Sequence, residues 1–503
     1  MNRTSRMRLS SAAVPTPLPS TIPTARQTFG DLERWLGSPF AGTLDLRAVE
    51  REQERRGREL LRRLLQDYLD HRGPGDVGPG LWAREAQGRT VGCTHKRLHT
   101  RRLISLFGPV YLRRMGYGGR GIPSIHPLDA LLQMPARSYG YELQRRLLLG
   151  VVQGPFDEAI RNVAEFTQVR IPKRSAEQIL QDASDGFDDF YRSRRTGPVA
   201  GEGPIVVGAI DCKGIPMVKT HSIARKVRLG KGEKRQKKRM ATVAAVFTQS
   251  RRIRTPAEVV KSLFEEEKTT RSSAKLARPE RKRVWASLLD GKDLVIQSAW
   301  TEMKHRDPDQ QKEWVVVTDG ERALQIRVCN LFPKAWIILD LLHVLEKLWM
   351  VSHTLHPEGS EQAREFVRQR IERILEGGVS QAVKGLRQTA TKRKMRGVRA
   401  KIVTGVAKYL YRNRSRMRYD EYLKRGFPIA SGTVEGACKN LIKDRMERSG
   451  MRWTELMGEA MLRMRAVYLS GDFEAYWDFH VDQEQSRLYR RNTWKSMEGV
   501  VLK

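Results

Sequence analysis

Two apolar segments that each end in an aspartate place the strongest constraint on the fold. The segment IVVGAI precedes Asp211, and the segment WVVVT precedes Asp319. Short apolar runs of this kind, rich in Val and Ile, are typical of buried strands. A carboxylate at the end of such a strand is costly to bury unless it is paired or binds a cation. The sequence therefore predicts an α/β core in which both acids have a partner.

A third acid, Glu435, follows Gly432 in the first turn of a predicted helix. If that helix packs against the sheet, Glu435 joins Asp211 and Asp319 in a set of oxygen ligands that suits Mg²⁺. Two such ions, about 3.5–4 Å apart, activate a water or a 3′-hydroxyl and stabilise a leaving oxygen. A single acid at a strand end is more often a turn former, so the hypothesis depends on the trio. We expect the three carboxylates to lie within ~8 Å of one another.

The order of the predicted elements around the three acids indicates a ribonuclease-H-like core, a mixed sheet flanked by helices. A strand that ends at Asp211, a turn at Gly214 and a second strand come first, followed by the strand MATVAAVFT. A charged, mainly helical region (about 251–306) precedes the Asp319 strand, a helix and the strand AWIILD. A helical insertion then separates this part from the helix of Glu435.

The charge of the chain indicates a polyanionic partner. Its 93 Lys and Arg residues outnumber 57 Asp and Glu, which gives a formal net charge of +36. Nucleic acid is the most common partner for such an excess, and an anionic membrane surface is the alternative. No apolar run reaches the ~18–20 residues that a membrane-spanning helix requires. The chain also lacks GxxxxGK[ST], which disfavours an ATP-dependent motor and a nucleotide cofactor.

Several segments resemble, in order, the DDE transposases of bacterial insertion sequences, specifically the ISKra type. They are LDALLQMP, FDEAI, DGFDDFY, AIDCKG, VVVTDGERAL, ILDLLHVLEKLW and SGTVEGACKNLIKDRMERSGMRW. The resemblance implies a transposase whose metal-binding, catalytic residues are Asp211, Asp319 and Glu435, with two Mg²⁺ or Mn²⁺ ions. It also implies a homo-oligomer that binds terminal inverted repeats and target DNA in the bacterial cytoplasm, at the nucleoid. Some members carry a Cys pair where this chain reads YGGRGI, so a structural zinc is not expected there.

Basic side chains near the predicted acids are candidates for DNA binding. The run between residues 225 and 239 has nine Lys or Arg and one acid, and it indicates a phosphate-binding loop. Lys439 and Lys443 follow Glu435 on one helical face, and Trp453 could stack on a base beside Arg452. The alternatives are a solvated basic surface and, for the Trp, a core position. The candidates are Lys234, Arg235, Lys237, Lys238, Lys439, Lys443, Arg452 and Trp453.

Asp340 and His343 form an Asp-x-x-His motif at a strand-to-helix junction and could support the site by orienting it. A helix cap and a hydrogen-bonded core His are the alternative reading. Upstream, Cys93, His95 and His99 offer three possible zinc ligands, which is one fewer than a closed structural site needs.

Composition shifts divide the chain into seven regions. A hairpin is predicted around Gly108, and a helix-turn-helix-like pair is predicted between about residues 156 and 180, with a basic turn suited to a DNA groove. A plain helical hairpin is the alternative for that pair. The regions are a flexible tail (1–30), a helical and β-hairpin region (31–125), a helix-turn-helix-like DNA-binding domain (126–198), the first part of the core (199–345), the helical insertion (346–427), the last core helices (428–475) and a C-terminal tail (476–503).

Three functions are consistent with these features. They are an active DNA transposase, a domesticated protein that binds DNA without cutting it, and a ribonuclease-H-like nuclease or resolvase. The three acids favour an enzyme, because a DNA-binding protein does not need them in a basic chain. The long N-terminal region and the helical insertion favour transposition over simple hydrolysis.

Overall fold

The computed structural model describes residues 24–84, 89–119, 122–194, 197, 201–218, 238–264, 278–490 and 494–499. Within these ranges helices and several sheets alternate, which confirms the predicted mixed α/β class. None of the helices in these ranges combines the length and the apolar character needed to span a bilayer.

The strands are β1 (Leu81–Arg84), β2 (Thr90–Cys93), β3 (His95–Ser105), β4 (Gly108–Gly119), β5 (Ile122–Ile125), β6 (Ile205–Pro216), β7 (Lys238–Gln249), β8 (Glu280–Ser287), β9 (Glu313–Thr318), β10 (Trp336–Leu339) and β11 (Trp494–Ser496). The helices are α1 (Ala25–Leu36), α2 (Pro39–Gly42), α3 (Leu46–His71), α4 (Pro127–Leu131), α5 (Tyr141–Gln153), α6 (Phe156–Thr167), α7 (Lys173–Ser184), α8 (Phe187–Ser193), α9 (Pro256–Phe264), α10 (Lys292–Arg306), α11 (Arg322–Leu331), α12 (Leu341–Leu355), α13 (Glu361–Leu375), α14 (Val379–Lys392), α15 (Gly397–Asn413), α16 (Tyr419–Lys424), α17 (Gly432–Ala437), α18 (Asp444–Met446), α19 (Glu455–Leu469) and α20 (Phe473–Gln485).

The chain divides into two compact units. The first combines Met1–Ile179 with Trp477–Lys503, and the second is Leu180–Tyr476. The division differs from the predicted boundary at residue 198, because it falls inside α7. It also differs from the predicted C-terminal tail, because β11 pairs antiparallel with β1 in the first unit. A three-residue strand of this kind depends on a distant partner, which local sequence does not reveal.

A β-hairpin packed against a long helix forms the centre of the first unit. Strands β3 and β4 pair from Ser105 opposite Gly108 outward, which confirms the predicted hairpin. Gly108 has φ of 121°, a backbone conformation that favours glycine. Leu69 of α3 packs against Val110 and Leu112 of β4 in a small apolar core. Burial of these side chains fixes which face of the hairpin is internal.

A five-stranded mixed sheet with the order β10-β9-β6-β7-β8 forms the centre of the second unit. The three strands β10, β9 and β6 are parallel, while β7 is antiparallel to both β6 and β8. The predicted turn at Gly214 is wrong, because β6 continues through Gly214 to Pro216 and remains paired with β7. Glycine is favoured at position 214 because a Cβ there would lie 3.1 Å from Cδ of Lys238 on the neighbouring strand.

Strand β8 corrects the prediction that residues 251–306 are mainly helical. The helices α9 and α10 are present, but β8 lies between them at the edge of the sheet. Its first half, ERKR, has the charges typical of an edge strand, which hide the strand pattern in the sequence. Its second half is buried, from Val284 to Ser287.

Helices cover the sheet on both faces. On one face, Ile205 and Val207 of β6 belong to an apolar core that continues into α12–α15, so the predicted insertion is helical and packs on the sheet. On the other face, Gly208 lets α10 approach closely, because a Cβ there would lie 2.9 Å from the sulfur of Met303. This packing leaves the carboxyl ends of β6, β9 and β10 at one edge of the sheet.

Candidate active site

Asp211 and Asp319 directly follow the last paired residues of two parallel neighbouring strands. The pairing of β6 with β9 ends at Ile210 opposite Thr318. The sequence had predicted Asp211 at the end of its strand. This prediction is wrong, because Asp211 is still opposite Val243 of β7 and therefore lies inside β6. Beyond Ile210 and Thr318, β6 and β9 no longer pair, although β6 remains paired with β7. Asp211 and Asp319 are the residues that directly follow this last pair.

Asp340 is a third carboxylate at the same edge of the sheet. Strand β10 pairs with β9 as far as Leu339 opposite Thr318, and the amide of Asp340 donates to the carbonyl of Thr318 at 2.9 Å. Asp340 is only 1% exposed and caps α12, where its Oδ1 accepts from the amide of Leu342 at 3.0 Å. The predicted helix cap is therefore present at this position.

Asp340 also fixes the start of the helix that carries Glu435. Its Oδ1 accepts from the amide of Ser431 at 3.2 Å, and its Oδ2 accepts from the Ser431 hydroxyl. One turn later, the amide of Glu435 donates to the carbonyl of Ser431 at 2.9 Å. Asp340 thus connects β10 and α12 with Ser431, the residue before the helix that carries Glu435.

Cys438 connects the same helix to the first aspartate. Its Sγ lies 3.3 Å from Oδ2 of Asp211, within hydrogen-bonding distance. Cys438 begins a π-helical segment, Cys438–Lys443, that continues α17. Short π-helical insertions are rare and often occur at functional sites. Cys438 was not among the residues predicted from the sequence, although its position three residues after Glu435 places it on nearly the same face of a helix.

Negative charge is concentrated around these acids. Burial raises the pKa of Asp319, and the nearby charge of Asp211 raises it further. Burial is also the main cause of the raised pKa of Glu435, with smaller contributions from the charges of Asp340 and Asp211. His343 acts in the opposite direction on Asp319 and on Glu435, so it lies within electrostatic range of both. A bound cation would relieve the repulsion among these carboxylates.

The carboxylate oxygens of Asp211 and Asp319 are of the type that binds a hard cation, although in the described ranges they are not part of a closed group of ligands. Oδ1 of Asp211 accepts from the amide of Cys212 at 2.7 Å, and Oδ1 of Asp319 accepts from the amide of Glu321 at 2.9 Å. Carboxylate oxygens held in this way keep lone pairs for Mg²⁺, which prefers few protein ligands and several waters. In the ranges described, no three His, Cys, Asp or Glu side chains are grouped closely enough to hold a metal ion.

Two further contacts near Asp319 were not anticipated from the sequence. Tyr409 of α15 lies against Gly320, where a Cβ would come within 2.1 Å of its ring. Burial and the charge of Asp319 raise the pKa of Tyr409 to about 12. Lys292, at the start of α10, forms an ion pair with Glu321. The close approach of the Tyr409 ring on α15 requires a glycine at position 320, directly after Asp319.

The candidate DNA-binding residues have different environments. Lys439, Lys443 and Arg452 are exposed, so their side chains are available to a ligand. Lys238 lies at the start of β7 and pairs with Glu447 at 2.6 Å, so its charge is already partly neutralised. The other three, Lys234, Arg235 and Lys237, lie outside the described residues, as does the basic run from residue 225 to residue 237.

Trp453 occupies a core position, which corrects the prediction that it stacks on a base. It is 5% exposed, and its indole Nε1 donates to the carbonyl of Met446 at 3.0 Å. Its amide donates to the carbonyl of Pro216 at 3.0 Å, and the amide of Val218 donates to its carbonyl at 2.8 Å. Trp453 therefore holds the end of β6 against the segment after the π-helix and leaves no ring face for a base.

The helical pair predicted near residues 156–180 is present as α6 and α7. Gln168 ends α6 in a left-handed conformation with φ of 55°, and the buried Val169 and Ile171 anchor the connection. Lys173 is exposed and pairs with Asp157 at 3.3 Å across the turn. Arg170 and Arg174 are exposed as well, so the predicted basic turn lies at the surface.

Comparisons with known proteins give little similarity. No family model and no curated protein matches the chain. Among solved structures, the chain is similar to the Drosophila P element transposase strand transfer complex, with 11% identity and a TM-score of 0.25. The alignment covers 70% of this chain and 84% of that chain. Similarity at this level does not establish a shared fold, so the site geometry has to support any function.

Proposed function

We propose that the protein is a DDE-type DNA transposase of the ISKra kind, with Asp211, Asp319 and Glu435 as its catalytic acids. The observation that supports the proposal most directly is the common position of Asp211 and Asp319 after the last residue pair of β6 and β9. The hydrogen bond from Cys438 brings the helix of Glu435 to the same edge of the sheet.

The strand order supports a ribonuclease-H-like core for this enzyme. Three strands in sequence, β6, β7 and β8, form an antiparallel meander, and β9 and β10 extend the sheet in parallel on the other side of β6. Asp211 and Asp319 follow the last residue pair of two central parallel strands, on the carboxyl side, which suits a cleft that receives a ligand. The helical segment between β10 and α17 is in the position of the helical insertion that the order of the predicted elements indicates.

In the proposed reaction the three acids supply metal-binding oxygens from different elements of the fold. Asp211 and Asp319 present oxygens from a rigid sheet, and Glu435 presents one from a helix that Asp340 and Cys438 position. Two bound Mg²⁺ ions would supply the charge that activates the nucleophile and stabilises the leaving oxygen in hydrolysis and strand transfer. Lys439, Lys443 and Arg452, with the basic run that includes Lys234, Arg235 and Lys237, would hold the DNA backbone without reading its sequence.

The test is a cleavage and strand-transfer assay with Mg²⁺ on DNA that carries the inverted repeats flanking the gene. Wild type should cut the repeat ends and join them to target DNA, because the acids act on the reacting phosphate. Asp319→Asn should lower both rates on the order of 10⁴-fold, as for loss of a group that acts mainly in the transition state. Its affinity for the ends should stay nearly unchanged, since the basic side chains remain.

The same assay separates the alternative functions. Hydrolysis without joining would support a nuclease or resolvase, and binding without any metal-dependent cutting would support a domesticated DNA-binding protein. Cleavage by Asp319→Asn at the wild-type rate would contradict the assignment of the acids.

A further inference from the structure

The hairpin of α14 and α15 in the helical insertion has an unusual distribution of charge. Between Val379 and Tyr419 the sequence contains thirteen Lys or Arg and no Asp or Glu. Twelve of these thirteen side chains are exposed, and Arg416 is partly buried. The apolar side chains of the two helices, such as Leu386 and Leu410, face the core that the insertion shares with the sheet. The outer surface of this hairpin is therefore almost uniformly positive.

These charges are not neutralised within the described parts of the chain. Arg418 pairs with Glu421 at 3.1 Å, and no carboxylate in the described ranges is within ion-pair distance of the other twelve. The basic helix α3 behaves differently, because Arg55, Arg58 and Arg62 each pair with a Glu of the same helix. Like charges that no nearby carboxylate neutralises repel one another, so a polyanion that covers this hairpin would stabilise it.

The geometry of α15 connects this surface with the candidate active site. Near its C-terminal end, Nη2 of Arg412 donates to the carbonyl of Gly320 at 3.3 Å, directly after Asp319. Lys401 lies eleven residues earlier, which corresponds to about 16 Å along a helix axis. Phosphates on one strand of a duplex are spaced about 3.4 Å apart along the axis. Helix α15 thus extends from the neighbourhood of Asp319 over a length of several nucleotides.

One aromatic side chain, that of Tyr411, holds part of the surface in place. Tyr411 is 45% exposed, and the guanidinium groups of Arg387 and Arg414 lie 5.6 Å and 4.2 Å from the centre of its ring. Arg387 belongs to α14 and Arg414 directly follows α15, so the ring lies between a cation of α14 and a cation just beyond the end of α15. Ordering these long side chains in advance reduces the entropy cost of binding a ligand.

We propose that the outer surface of the α14–α15 hairpin binds the phosphate backbone of duplex DNA and directs it to Asp319. This inference rests on the proposed function and assigns to the insertion a part of the substrate-binding surface. Duplex DNA fits better than an anionic membrane, because α15 ends beside carboxylates that suit phosphodiester chemistry. Binding of DNA to this surface would not depend on its base sequence, since Lys and Arg contacts to phosphates carry no sequence information.

The test compares two full-length variants that lose the same charge. In the hairpin variant, Lys394 and Arg396 of the connection and Arg399 and Lys401 of α15 are changed to Gln. Gln stays polar at these exposed positions and keeps helix propensity at the two that lie in α15. In the matched control, four exposed but dispersed lysines of the same unit, Lys261, Lys304, Lys334 and Lys424, are changed to Gln. Circular dichroism and thermal unfolding first establish that both variants fold like wild type.

Affinity for a random-sequence duplex is then measured from 50 to 300 mM salt, with Ca²⁺ in place of Mg²⁺ so that the DNA is not cut. The hairpin variant should bind about tenfold more weakly or worse at physiological salt, and its salt slope should fall by roughly 0.9 for each lost phosphate contact. The control should lose much less affinity and keep nearly the wild-type slope. With Mg²⁺, the hairpin variant should need more DNA for half-maximal cleavage.

Three results would overturn the inference. The first is a hairpin variant whose affinity and salt slope equal those of the control. If wild type still shows cleavage that depends on Asp319, the proposed function is unaffected by this result. The second is tighter binding of wild type to vesicles of anionic phospholipid than to DNA, with the difference lost in the hairpin variant. The third is a wild-type protein that neither binds nor cuts duplex DNA, in which case the proposed function fails as well.

Discussion

The thiol of Cys438 lies 3.3 Å from Oδ2 of Asp211, although the two residues are 227 positions apart in the chain. Cys438 is 5% exposed, and burial together with the charge of Asp211 raises the pKa of its thiol, so it remains protonated and can donate. The contact holds the helical segment after Glu435 against β6. The distance between the first and third acids therefore depends on a side chain that does not itself belong to the trio.

Replacement of Cys438 should change how strongly the site binds a divalent cation. Cys438→Ala removes the donor and should weaken Mn²⁺ binding roughly fivefold, which corresponds to a net hydrogen bond of about 1 kcal/mol. Cys438→Ser keeps a donor and should stay close to wild type. Calorimetric titration with Mn²⁺ in the absence of DNA measures both. Equal affinities for Ala and Ser would assign Cys438 a packing role only.

Asp340 should be needed both for stability and for the position of Glu435. In Asp340→Asn an amide NH₂ replaces one of the oxygens that accept from Ser431 and Leu342, in a buried site. We expect a loss of roughly 1–3 kcal/mol in the free energy of unfolding and a lower cleavage rate at saturating DNA. Ser431→Ala removes one of these bonds and should have a smaller effect on both. Urea denaturation and single-turnover cleavage measure them, and a fully active Asp340→Asn would contradict the positioning role.

The buried carboxylate of Glu302 should make stability depend on pH. Burial alone would raise the pKa of Glu302, but the charges of Arg283 and Arg306 outweigh it and lower the pKa below its ordinary value of 4.5. A lowered folded-state pKa means that the contribution is fully present above about pH 4.5 and is lost as the pH falls through the folded-state value. Glu302→Gln should therefore cost on the order of 3 kcal/mol at pH 7 and progressively less in acid.

Denaturation midpoints between pH 3 and pH 7 provide the measurement for Glu302. Glu376→Gln, at an exposed position after α13, is the matched control and should show no such trend. A constant difference between wild type and Glu302→Gln across this range would mean that the ion pairs contribute no pH-dependent stability.

Sequence-specific binding should depend on the basic turn between α6 and α7. Changing Arg170, Lys173 and Arg174 to Ala in the full chain should weaken binding to the repeat ends more than binding to a scrambled duplex. The ratio of the two affinities should fall by about tenfold or more, because a lost base contact costs roughly 1–3 kcal/mol. Competition binding at one fixed salt concentration measures the ratio. An unchanged ratio would show that this turn contributes only its charge.

Local pattern was sufficient where a strand or helix is buried in a regular way. The sequence predicted β9, β10, α11 and α12 and the hairpin of β3 and β4, because apolar periodicity and turn residues decide such elements over short distances. It was insufficient for β8, whose charged first half conceals an edge strand, and for Gly214, which continues a strand instead of turning it. At both places the pairing partner on β7 decides the outcome.

The sequence alone determined the mixed α/β class, the positive charge and the three candidate acids, because residue type and local order carry that information. Only the tertiary structure decided which side chains surround the acids. It buried the ring of Trp453, paired Lys238 with Glu447, and brought Cys438 and Asp340 to the strand and helix that carry the acids. Such contacts join residues far apart in the chain, and their formation depends on the packing of the sheet against its helices, which no local pattern encodes.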